Sequence, residues 1–156
     1  VGFLPYLSGE RTPLNDPDAT GAFFGLRRAH GLPDLAQAVM EGVAFAFTDC
    51  VHALRKAGTP IEAAYAVGGG ARSRAWLRIM ASATGLRLLE PEDGDFGAAF
   101  GAAKLAAACA TGDTSERVFA KPAVRAEVVP DAALADAYTK KYEAYRAAYP
   151  RLRDLP

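Results

Sequence analysis

The order of apolar segments along this chain predicts an α/β layer architecture, with helices packed on a small sheet. Three observations carry that reading. Long stretches with helical apolar spacing cover 33–56, 73–85 and 96–110; short apolar runs at 61–67 and 86–89 separate them; and Gly68-Gly69-Gly70 stands where the first run meets the next helix. Helix, strand, helix, strand, helix implies parallel strands covered by helices. The 156 residues suffice for one ordinary domain, and 34 alanines favour helices with small, closely approaching faces.

Residues 1 to 7 read as an edge or terminal strand, since Pro5 cannot donate to a ladder from a central position. Residues 8 to 20 hold Gly9, Thr12-Pro13 and Asp16-Pro17, which is loop chemistry, and Phe23, Phe24 and Leu26 form a brief apolar return. A long helix then runs from Pro33-Asp34, with Asp34 as its expected N-cap, to Lys56 before Gly58. Leu35, Val39, Val43, Phe47 and Val51 follow at spacings of four, and Met40, Phe45 and Leu54 make a second flank apolar, so this helix should be buried on most sides.

Strand, glycine turn and helix follow, with Ser73 as N-cap and Gly85 as the stop. The strand at 86–89 leads through Pro91 and the acidic turn Glu92 to Asp95 into a third helix from Phe96 to Ala110. Residues 111–130, with Pro122 and Pro130, read as a surface connection. The helix at 131–149 carries Leu134, Tyr138, Tyr142, Tyr145 and Tyr149 three or four apart, a docking face for the rest of the domain.

Eighteen basic and eighteen acidic residues give a net charge of zero without a basic stripe, which argues against nucleic acid and anionic membranes as partners. No secretory signal pattern opens the chain and no apolar run reaches about 18 residues. Cys50 and Cys109 lie in apolar helical stretches and read as buried free thiols, which suits a reducing cytoplasm. The chain starts inside an apolar element at Val1, as a piece of a longer protein would.

Three glycines after a strand let a ligand approach the backbone, and the helix that follows presents free N–H groups and a positive dipole end, an arrangement suited to phosphate. Arg72 and Arg74 flank that helix start and offer charge or a stacking plane. The structural alternative is a tight left-handed turn. A dinucleotide-binding reading, with Glu90 as the ribose acid, is weakened by Ser73 in place of the third glycine and by the long helix ahead of the strand. His30 and His52 have no ligand partner at zinc spacing. Glu92, Asp93 and Asp95 suit a helix cap better than acid/base chemistry. Glu10-Arg11 is either a catalytic pair or an ion pair fixing the loop.

Phe3-Leu4-Pro5-Tyr6-Leu7-Ser8-Gly9-Glu10-Arg11-Thr12-Pro13 with Asn15-Asp16-Pro17, the segment Gly21 to Glu41, the turn Val67 to Ser73 and the stretch Asp95 to Ala103 together resemble the FGGY carbohydrate kinase family, above all its xylulose-phosphorylating branch. The likeness covers residues 1–110 well and the tail loosely. It departs at Thr20, where the family commonly has Arg, which puts local loop order in question. The resemblance implies a ribonuclease H-like domain of the actin and hexokinase type, with Asp95 to Ala103 in its last core helix. On this view 1–156 is the partial C-terminal kinase domain, with its core at 1–110, a connection at 111–130 and a C-terminal helix at 131–149.

It further implies ATP and Mg2+ as cofactors, D-xylulose as the sugar, an N-terminal kinase domain as partner, and ATP contacts at Gly68, Gly69, Gly70, Ala71 and Arg74. The catalytic Asp would lie outside this chain, leaving no catalytic residue within it and the chain inactive alone. L-ribulose, glycerol or gluconate as substrate, or a non-catalytic nucleotide-binding module, are the alternatives. Exposed sheet edges and the aromatic stripe would suit a homodimer.

Overall fold

The computed structural model describes residues 1–92, 97–113, 115–116 and 118–154. The chain opens with β1 (Gly2–Leu4), paired antiparallel to β2 (Ala22–Phe24) in the register Gly2↔Phe24, Phe3↔Phe23, Leu4↔Ala22. Helix α1 (Leu32–Lys56) follows, then β3 (Ala63–Tyr65), a 3-10 turn (Gly69–Arg72), α2 (Arg74–Thr84), β4 (Arg87–Pro91), α3 (Gly97–Thr111), β5 (Val124–Val128) and α4 (Ala132–Leu152). The second sheet has the order β3-β4-β5, with β3 and β4 parallel, as the alternation predicts, and β5 antiparallel. The strand β5 corrects the reading of 111–130 as connection only. The acidic positions Asp93 and Asp95 and the expected helix start at Phe96 lie outside the described residues. Among the described residues no helix is long and apolar enough to cross a membrane.

The N-cap of α1 is Gly31, one turn earlier than expected; Asp34 stands at N3 and its carboxylate accepts the Gly31 N–H at 2.8 Å. The acid therefore satisfies a free amide of the first turn from inside the helix. Helix α1 faces two clusters at once: Ala44 and Phe45 join Leu4, Tyr6, Ile79, Tyr138 and Tyr145, while Val51 joins Leu77, Ala81, Leu86, Leu88 and Val128. Gly42 brings α1 against β1, because a Cβ built there would stand 2.3 Å from the Phe3 carbonyl oxygen. Glu41, buried beside it, accepts Gln37 Nε2 at 2.9 Å and the Lys141 ammonium at 2.7 Å, which ties α1 to α4.

Asp131 caps α4 by accepting the Ala133 amide at 3.0 Å and also pairs with Arg78 of α2. The aromatic stripe docks as its spacing predicts. Tyr138 and Tyr145 are buried with their rings 5.8 and 5.5 Å from that of Phe45, and the Tyr145 and Tyr6 hydroxyls meet at 2.7 Å. Burial pushes the Tyr6 hydroxyl up to about 12, so the pair stays neutral through the physiological range. His52 is exposed and lies 3.0 Å from the Tyr142 hydroxyl, which donates to Asp49 at 2.5 Å.

Three expectations of burial fail. Helix α1 is not buried on most sides: of its four-residue apolar repeat only Val51 is buried, and Val39, Phe47 and Leu54 are exposed, because the packed face runs through Ala38, Gly42, Phe45 and Asp49 instead. None of the described residues of α3 is buried, Leu105 being 64% exposed, because no described element of the chain lies over this alanine-rich surface. Cys109 shares that exposure, and Cys50 is only half-buried.

Replacing Gly42 with Ala forces α1 away from Phe3 and should lower stability by about 1–3 kcal/mol, an overpacking cost that outweighs alanine's better helix propensity; a thermal melt measures it. A second expectation concerns acid. The Arg78 guanidinium and the capped amides hold Asp131 below the usual carboxylate range, so its contribution is present above the unfolded carboxylate pKa and lost as pH falls through its lowered folded value. Asp131→Asn keeps the cap but should melt earlier than the parent at pH 7, with the gap closing below about pH 4.

Candidate functional site

The candidate site is the turn between β3 and α2. The strand ends at Tyr65, and Ala66 still donates its N–H to the Leu89 carbonyl at 2.8 Å, so the sheet holds the chain up to the glycines. Gly68 then takes φ +81°, a left-handed conformation that bends the chain out of the sheet direction. Gly69 to Arg72 form a single 3-10 turn, closed by Ala71 N–H to the Gly68 carbonyl and Ser73 N–H to the Gly70 carbonyl, each 3.1 Å. Ser73 caps α2 as its spacing predicts, its hydroxyl accepting the Trp76 amide at 3.3 Å.

A connecting left-handed turn accounts for Gly68 alone. Gly69 and Gly70 have backbone angles outside the left-handed region, so conformation does not demand glycine at either. At Gly69 an added Cβ meets nothing within 4 Å, and at Gly70 it meets the Trp76 indole Nε1 at 3.3 Å. Gly69 thus presents bare backbone to open space. On another side, Gly70 and Ala71 border an apolar cavity of about 490 Å3 with Val67, Trp76, Leu77 and Met80. Bare backbone beside an apolar cavity suits a ligand that brings a flat ring and a polar tail together.

The sequence-predicted contacts Gly68, Gly69, Gly70, Ala71 and Arg74 fall within seven consecutive residues of this turn. Arg74, the first residue of α2, forms an ion pair with Glu90 of β4, which sequence reasoning considered only as a ribose acid. Their separation of 16 residues leaves no local pattern that would reveal the pair. Among the described residues no three His, Cys, Asp or Glu side chains gather into a metal cluster. The Glu10 carboxylate accepts the Thr12 and Leu14 amides at 2.7 and 2.9 Å, so this acid fixes its loop through backbone groups.

Residues 1–110 match the C-terminal domain of the FGGY family of carbohydrate kinases, and the chain belongs to that family. It is similar to the xylulose kinase of Escherichia coli strain K12, 40% identical over 99% of this chain and 32% of that protein. The xylulose kinase of Klebsiella pneumoniae is 49% identical over 68% of this chain and 22% of that protein. Among solved structures, a xyloylose kinase of Brucella ovis superposes with a TM-score of 0.89 at 48% identity, covering all of this chain and 32% of that one. The fold is accordingly that of the actin- and hexokinase-like ATPases, and the chain spans about a third or less of the length of these relatives.

The two glycine roles separate by mutation. Gly68→Ala should destabilise the chain by about 1–2 kcal/mol, the cost of a left-handed non-glycine residue. Gly69→Ala, which enters open space, should leave the melting temperature unchanged; equal losses at both positions would assign both glycines to the turn alone.

Proposed function

We propose that this chain is the nucleotide-side part of an ATP-dependent kinase that converts D-xylulose to D-xylulose 5-phosphate. The carrying observation is the bare backbone at Gly69, unexplained by conformation or packing, in a chain 40–49% identical to xylulose kinases. Gly68 sets the direction of the turn, and Gly69, Gly70 and Ala71 approach the nucleotide. The neighbouring apolar cavity offers Trp76 and Val67 as surfaces for a planar base. Arg74 adds a guanidinium on the adenine side.

Sugar binding and the carboxylate that takes the hydroxyl proton belong to parts of the kinase outside this chain. There the sugar oxygen attacks the γ-phosphorus as the bond to ADP breaks. Mg2+ would neutralise the phosphates, and the residues that would hold it are assigned to the rest of the kinase. The reading places residues 1–156 in the C-terminal kinase domain, against an N-terminal domain that closes over the substrates. It places the protein in the cytoplasm, beside the ATP pool it draws on, and makes a homodimer through the exposed apolar surfaces its assembly.

The test is steady-state kinetics of the intact kinase against D-xylulose, L-ribulose, glycerol and gluconate. D-xylulose should give the highest kcat/KM, and this chain alone should release no ADP. Gly69→Val, a branched side chain on the open face, should raise the KM for ATP at least tenfold, the loss of about 1.4 kcal/mol of nucleotide binding, with the sugar KM within about twofold. Equal rises for both substrates would remove the turn from the nucleotide site, and preference for another sugar would overturn the substrate.

A further inference from the structure

Glu90 is a carboxylate only 7% exposed, next to Pro91 at the irregular end of β4. Its two oxygens are shared out: Oε1 receives Arg74 Nη1 from the start of α2, and Oε2 faces Arg125 Nη2 of β5 at 3.5 Å. Both arginine side chains are 66% exposed, so the acid is the fixed, buried member and the guanidinium groups are the mobile ones. A small cavity of about 50 Å3, lined by Ala66, Ala71, Arg72, Glu90 and Arg125, joins this carboxylate to the underside of the glycine turn. The acid therefore lies beneath Ala71, with Arg74 one residue past the Ser73 cap.

A buried ion pair is a weak stabiliser, because the desolvation of the carboxylate offsets most of the attraction. What the arrangement does fix is direction. An arginine on a helix start carries about 2 kcal/mol of side-chain conformational entropy, and a tether that removes part of this freedom in advance spares a ligand from doing so. Arg125 engages the second oxygen, which keeps the carboxylate from rotating away from Arg74.

We propose that Glu90 is the positioning residue of the nucleotide site, holding the Arg74 guanidinium beside the glycine turn so that the nucleotide meets a preset cation. This rests on the nucleotide reading of the turn given above. The intact kinase tests it through Glu90→Gln, Glu90→Asp, Arg74→Ala and the double variant Glu90→Gln/Arg74→Ala, with Gly69→Val measured beside them.

Glu90→Gln should raise the KM for ATP about fivefold, as expected when a charge-assisted hydrogen bond is weakened to a neutral one, while kcat and the sugar KM stay within about twofold. Glu90→Asp should recover part of the loss. The double variant should be no worse than Arg74→Ala alone, since the two residues act as one unit. An unchanged ATP KM in Glu90→Gln beside a raised one in Gly69→Val overturns the positioning role alone, as do fully additive losses in the double variant. Unchanged ATP KM in Gly69→Val and Glu90→Gln together overturns the nucleotide reading as well. Should Glu90→Gln fail to fold, Arg74→Ala carries the test from an exposed position, and an unchanged ATP KM there is equally fatal to the proposal.

Discussion

Helix α1 must satisfy two apolar faces at once, and the arrangement of the rest of the chain follows from that constraint. Its 25 residues span both clusters of the core, so β1, α2 and α4 all take their places against it. The closest approach is at Gly42, where the absence of a Cβ lets the helix lie on the Phe3 carbonyl. An alanine would be a better helix former in isolation, so glycine in mid-helix is a local cost that tertiary packing offsets. Glu41, next in line, turns a second liability into a tie: a buried carboxylate that would be costly alone is held by Gln37 and Lys141, and the aromatic helix α4 is fixed in register with α1.

The glycine turn inherits its position from this frame. β3 is held by β4, and α2 is held by α1 and α4, so the residues between them have little freedom in where they stand. Gly68 makes the change of direction, Ser73 starts the next helix, and Gly69 between them presents its backbone to open space. Rigid elements on both sides of a short exposed turn are what a binding surface requires, because binding then orders little that was free before. The Glu90 clamp extends the same logic from the backbone to a side chain.

Much of this was legible in the sequence because it depends on local spacing. The four-residue apolar repeat of α1, the Ser73 cap, the Gly85 stop and the tyrosine stripe of α4 each declare themselves within a few turns of helix. What was hidden depends on distant partners. β5 reads as Val-Arg-Ala-Glu-Val, too short and too charged to announce a strand, and it exists because β4 offers it an edge. Asp34 looked like a cap because an acid commonly is one; Gly31 takes that position while Asp34 serves it from N3. Val39, Phe47 and Leu54 of α1 were read as buried from spacing, Cys109 from its apolar stretch and α3 from the resemblance, none of which can say what lies opposite a helix. At the site, the glycines were visible and the Arg74–Glu90 pair was not, since the two residues meet only across the sheet and helix that separate them.

The central claim is that nucleotide lies against residues 68–74. Photolabelling of the intact kinase with 8-azido-ATP, followed by peptide mapping, addresses it without any substitution. The account predicts that the label falls on the peptide containing Gly68 to Arg74 and the adjoining Trp76, and that excess ATP but not D-xylulose suppresses it. Labelling confined to other peptides, or suppression by the sugar alone, would contradict the account.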